Sequence, residues 1–146
     1  MRDWLALRGL LAIVVLGALS LSLIAGMIAM GGNDVVVPPP EQPAIDFVQA
    51  LKAHRFEGAR LELSERERDR IRTEQLRTYV DQLAHRGLTI VSIAGSEQSR
   101  TGNEAVVDVD IDFASTTKTV TLLMRREHGE WRIDSIDPLL ALADAP

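Results

Sequence analysis

The sequence predicts an α+β fold, with helices packed on an antiparallel β-meander, carried behind an N-terminal transmembrane helix. Three features carry the prediction: an uncharged run from Gly9 to Asn33, apolar residues spaced three and four apart between Ile45 and Ala84, and apolar–polar alternation from Val106 to Phe113. The first has the length of a membrane span, the second the period of amphipathic helices, the third the period of half-buried strands.

Taken as a helix, Leu5 to Met30 would extend about 39 Å at about 1.5 Å per residue, enough to cross a bilayer core with some tilt. Arg2 and Arg8 precede the run, and no cation follows it until Lys52. Cations near a span stay on the cytoplasmic side. The expectation is a single-pass protein of the cell membrane, its N-terminus cytoplasmic and its domain outside, periplasmic or extracellular. The alternative is a cleaved signal peptide, but secretory apolar regions run only about 7 to 15 residues. The organisation expected is residues 1–8 cytoplasmic, 9–30 transmembrane, 31–43 a Gly/Pro linker, 44–138 the folded domain and 139–146 a tail.

The chain holds 16 cations and 21 anions; removing Arg2, Arg8 and Asp3 with the first 33 residues leaves 14 and 20. So acidic a domain has no electrostatic reason to seek nucleic acid. There is no cysteine, which excludes disulfides, thiolate metal sites, a cysteine nucleophile and a cysteine-linked lipid.

Pro38, Pro39 and Pro40 favour extended polyproline conformation and read as a stalk, with a groove-binding ligand as the other use of such a run. Ile45, Val48 and Leu51, with Phe47 and Ala50, then mark a helix over Ala44 to His54. Arg60 to Arg72 is dense in interleaved charges and reads as a solvated face; Ser64 and Glu67 fit a capping box. Leu76, Tyr79, Val80, Leu83 and Ala84 form the stripe of a helix from Thr73 to Arg86, which Gly87 ends. Leu88 to Ala94 is rich in β-branched residues, and Thr101 to Asn103 is turn chemistry. Setting apolar against apolar pairs Ile111 with Val120, Val109 with Leu122 and Val107 with Met124, leaving Asp112 opposite Thr119 and Asp110 opposite Thr121. The next hairpin, turning at His128 and Gly129, pairs Met124 with Ile133 and Arg126 with Trp131.

This order, an AIDFVQALKAHRFEGA helix, a second amphipathic helix, a meander and a terminal HGEWRIDSI from His128 to Ile136, resembles the NTF2-like (cystatin-like) superfamily. Within it the chain looks most like small extracytoplasmic bacterial domains called domain of unknown function 4878, often tethered by a lipid or a helix. The resemblance implies a strongly bent sheet, the NTF2-like cone, with helices across its concave side and sometimes a pocket. It implies little about activity, because this scaffold hosts isomerases, dehydratases, secretion-apparatus subunits and binding modules.

Asp108, Asp110 and Asp112 share one side of a strand, but successive same-side residues stand about 7 Å apart, too spread for one hard cation. A solvated outer face is expected, its acidity offset by Arg125, Arg132 and Lys118. His54 and His85 fall at helix ends and His128 in a turn, none on an apolar face beside a carboxylate. The inner strand positions Val107, Val109, Ile111, Leu122, Met124 and Ile133 are apolar, and no phosphate loop, GxSxG or HExxH motif occurs. No catalytic residue, cofactor or metal is therefore expected. Tyr79, Leu122, Met124, Trp131 and Ile133 are the candidate pocket lining. Asp108, Asp110, Asp112, Thr119, Thr121 and Leu123 are the candidate interaction face. The partners expected are the bilayer through residues 9–30, and an envelope protein or a second copy of the chain. The function expected is non-catalytic binding of a protein or small apolar ligand in the cell envelope. The alternatives are an envelope secretion or assembly subunit, or a small-molecule isomerase or dehydratase.

Overall fold

The computed structural model describes residues 37–145. The expected membrane span lies outside these residues, and no helix among the described ones is long and apolar enough to cross a membrane. Four helices come first, α1 (Glu41–Lys52), α2 (Phe56–Leu61), α3 (Glu65–Arg70) and α4 (Thr73–His85). The strands β1 (Ile90–Thr101), β2 (Glu104–Phe113), β3 (Thr117–Glu127) and β4 (Glu130–Ser135) follow, then a last helix, α5 (Asp137–Asp144). The strands form one antiparallel meander in the order β1-β2-β3-β4, with helices on one face.

Helix α1 starts three residues before the expected Ala44, taking Pro43 into its first turn, where the missing N–H breaks no bond. It buries Phe47, Val48 and Leu51 completely against the sheet. Its first turn crosses β1 at Gly95, where a Cβ would come within 3.1 Å of both Glu41 and Ile45. Glycine permits that approach without displacing either neighbour. The single helix expected through Ala59 is two, because His54 enters the left-handed region at φ 56° and Arg55 N–H turns back to the Ala50 carbonyl. The tail expected after Pro138 is α5. Pro138 sits in its first turn, Leu139 is buried, and Arg86 donates to the carbonyls of Leu142, Ala143 and Ala145.

Strand β1 runs to Thr101, seven residues past the expected Ala94. Its second half is polar and exposed on both faces, so it shows no alternation to read. The β3–β4 register is as expected, with His128 and Gly129 both at positive φ, as a type I′ turn requires. The β2–β3 register differs by two residues: Val107 faces Leu122, Val109 faces Val120 and Ile111 faces Lys118. A two-residue slip leaves every side chain on its own face, so apolar matching cannot detect it. What selects the observed register is the turn, closed by Phe113 N–H on the Thr116 carbonyl, and the hydroxyl–carboxylate pairs described below.

The charge-dense stretch from Arg60 to Arg72 is a solvated face only in part: Glu65, Arg66, Asp69, Arg70 and Arg72 are exposed, but Glu67 is buried. Glu67 is 3% exposed and accepts from Arg70 Nε and Nη2 at 2.8 and 2.6 Å and from Ile136 N–H at 2.9 Å. Arg70 also reaches Asp137 at 2.6 Å. The capping box is half made: Ser64 Oγ accepts from Glu67 N–H, while the Glu67 carboxylate turns inward to Arg70. Arg60 donates to the carbonyls of Ile71 and Arg68, and Arg68 to that of Leu63. The segment before α3 also closes one sheet edge, as Ile133 N–H binds Glu62 O and Ser64 N–H binds Ile133 O. Glu67 thus joins α3 to the β4–α5 junction. Replacing it with Ala leaves Ile136 N–H unpaired and strips Arg70 of its main partner. Urea denaturation should show a loss of about 3 kcal/mol, with a smaller loss for Glu67→Gln.

Candidate functional site

The five side chains expected to line a pocket are core. Leu122 and Ile133 are fully buried, and Met124, Trp131 and Tyr79 are at most 4% exposed. They interlock with Phe47, Leu51, Leu76 and Leu83 from the helices. The reason is the close seating of α1: with its axis brought down onto Gly95, its apolar face fills the concave side of the sheet. Tyr79 donates its hydroxyl to the Leu139 carbonyl at 2.9 Å, and burial pushes the phenol well above its ordinary pKa. It is a neutral donor tying α4 to α5, not a group aimed into a cavity. Glu62, half-buried beside β4, is also shifted upward by burial, against the opposing pull of Arg132.

Among the described residues, the opposite face of the sheet carries no helix. Register places Ser92, Asp112 and Thr117 in one row across it, Ala94, Asp110 and Thr119 in the next, then Ser96, Asp108 and Thr121. Thr117, Thr119 and Thr121 each donate a hydroxyl to the aspartate opposite at 2.6 Å, and Ser92 gives Asp112 a second bond at 2.5 Å. All six residues of the expected interaction face therefore stand together, and Leu123 is 53% exposed. Their acidity is not offset as expected. Lys118 faces Ile111 on the other side of the sheet, while Arg125 pairs with Asp134, and Arg132 with Glu62 and Glu130. Hydroxyl donors stabilise the carboxylates instead of cations.

Asp134 is the residue sequence patterning missed. Leu123 pairs with Ser135 but Met124 with Ile133, so Asp134 is the extra residue of a bulge. It is buried, bonded by Arg66 at 2.8 Å and near Arg125 at 3.2 Å. With Ser99, Thr101, Glu104, Val106 and Leu123 it borders a shallow depression of about 180 Å³. A bulge is not visible in alternation alone, so nothing in the local sequence pointed to it.

His54 packs edge-on against Phe56, His85 Nδ1 lies 2.7 Å from the Asp81 carbonyl, and His128 occupies its turn. Among the described residues, no three His, Asp or Glu side chains converge as metal ligands would.

No family model matches the sequence, and no curated protein matches it. Among solved structures, a Campylobacter jejuni protein with the provisional description NTF2-like transpeptidase is 14% identical, with a TM-score of 0.55 over 67% of this chain and 99% of its own. A SEC-C motif protein from Rhodopseudomonas palustris is 12% identical, with a TM-score of 0.49 over 60% of this chain and 69% of its own. An NTF2-like protein of unknown function from Cytophaga hutchinsonii is 17% identical, with a TM-score of 0.36 over 73% and 97%. The first of these likenesses carries the fold, which is NTF2-like, and at such identity it carries the fold alone.

Two measurements check this geometry. Tyr79→Phe should cost about 1 kcal/mol and speed amide exchange in α5 before the rest of the domain. The Asp112 carboxyl lies below the usual range because Ser92 and Thr117 donate to its charged form. Its contribution to stability is thus complete above the unfolded-state pKa and is lost as pH falls through the lower, folded one. NMR titration should find it depressed, and Thr117→Val with Ser92→Ala should return it upward.

Proposed function

We propose that this NTF2-like domain is a non-catalytic binding module of the bacterial cell envelope, of the kind found in domain of unknown function 4878. In this reading residues 9–30 anchor it to the cell membrane, the linker spaces it from the bilayer only up to Pro39, since Pro40 is the buried N-cap of α1 in place of part of an extended stalk, and an envelope protein docks on the sheet face that carries no helix among the described residues. The observation that carries the reading is the contrast between the two faces. The helix-covered side is filled with apolar side chains and its one phenol is bonded to backbone. The convex side presents Asp108, Asp110 and Asp112 with their threonine partners, uncovered among the described residues.

Acyl transfer, the chemistry suggested by the Campylobacter jejuni protein's description, has less support. The chain has no cysteine, and the one buried serine among the described residues, Ser64, caps α3. A row of carboxylates held by neutral donors keeps its negative charge, and such a row favours a partner bearing cations.

A reporter fused after Pro146 should be active outside the cell and silent inside. In membranes, a photo-crosslinker at Thr119 should give a defined protein adduct that one at Glu57, on the helical layer, does not. Changing Asp108, Asp110 and Asp112 together to Asn should abolish that adduct, whereas an unchanged adduct would overturn the proposal.

A further inference from the structure

The two edges of the sheet differ. The β4 edge is closed by the chain itself, through backbone bonds between Ile133 and the Glu62–Ser64 segment. The β1 edge has no backbone partner among the described residues. Lys52 Nζ binds the Val91 carbonyl at 2.5 Å and shuts only its first residues. From Ile93 to Thr101 there is no proline and no lysine, two of the devices by which edge strands refuse a neighbour.

We propose that this open edge pairs with the same strand of a second copy, antiparallel, about a two-fold axis between Gln98 and Ser99. The argument is one of register and charge. Before Gln98, Ser92, Ala94 and Ser96 lie on the outer face, opposite Asp112, Asp110 and Asp108. The irregularity between Glu97 and Ser99 shifts the count by one, so that Ser99 and Thr101 share that face with Val106 and Glu104. Glu97 and Arg100, opposite Val107 and Ala105, therefore share the inner face. Residues facing each other across an antiparallel pair must point the same way. Gln98 donates its side-chain amide to Ser96 Oγ at 3.1 Å and so lies on the outer face; two-fold pairing about Gln98 and Ser99 then sets Glu97 opposite Arg100 of the second copy, Ser96 opposite Thr101 and Gln98 opposite Ser99, and each couple meets that condition. The interface is isologous, so the Glu97–Arg100 attraction occurs twice. In the single chain the two side chains already bond each other at 2.5 Å, with the Arg100 guanidinium 5.5 Å over the ring of Trp131 on β4, so the pairing exchanges one internal ion pair per chain for two between the copies. This edge is separate from the outer face assigned to an envelope partner, and the two can fail independently.

The chain has no native cysteine, so Ser99→Cys in the full chain, held in detergent micelles, supplies a single thiol on the axis. A bifunctional maleimide should give crosslinked dimer. Adding Glu97→Arg sets arginine against arginine, and adding Arg100→Glu sets glutamate against glutamate. Each should lower the yield by about tenfold or more. Mixing the two variants should restore it as heterodimer, because each then offers what the other lacks although neither regains its internal pair. Absence of dimer from Ser99→Cys, indifference to the charge changes, or a mixture that stays monomeric would each overturn the proposal. Crosslinking through Thr119→Cys in place of Ser99→Cys would overturn it too, while leaving the outer-face reading standing.

Discussion

One constraint governs the domain: the apolar face of the meander must be covered, and α1 is the helix that covers most of it. Val107, Val109, Leu122, Met124 and Ile133 form a surface that the sheet cannot bury by itself, and burying such surface is the dominant favourable term in folding. Gly95 lets α1 lie against the sheet without a side chain between them. The other helices fill in around that contact. Phe56, Ala59, Leu76 and Leu83 complete the same cluster from α2 and α4, and α5 closes it through Leu139. Trp131 has no room around it for the same reason, since Phe47 and Leu51 are buried in the same core on that side of the sheet, and Tyr79 borders only an open depression of about 320 Å³ between α4 and α5.

Charge is placed with the same economy. The densest run of charges in the chain fastens its connections. Glu67 is buried because three donors surround it, and removing water from a carboxylate is tolerable only with such replacement. Arg66 and Arg125 do the same service for Asp134 at the bulge. These contacts tie the helical layer to the end of β4, beside the buried side chains of Leu63, Ile133 and Ile136. The acidic row of β2 is of another kind. It joins no elements beyond its own strands, and its hydroxyl partners leave its charge facing outward, which is why a surface role suits it and a structural one does not.

The fold was legible wherever burial alternates. Phe47, Val48 and Leu51, the Leu76–Tyr79–Leu83 stripe and the Met124–Ile133 pairing could all be read because one face of each element is dry and the other wet. Three things could not. The second half of β1 is wet on both sides, so it carries no pattern. The β2–β3 register is invariant to a slip of two under any test based on faces. The burial of Glu67 depends on Arg70, Ile136 and Asp137, the last two more than sixty residues away.

The sequence alone determined the order of elements, the faces of the strands, and that Asp108, Asp110, Asp112, Thr119, Thr121 and Leu123 belong to one surface, because side-chain direction in a strand is fixed by a period of two. Tertiary structure decided which threonine meets which aspartate, that the five expected pocket side chains are buried in the core, that Asp134 is buried, and that among the described residues one sheet edge is closed while the other stays open. Each of these depends on distances between segments remote in the chain. Local periodicity carries no information about such distances, and close packing settles them only when every element is in place.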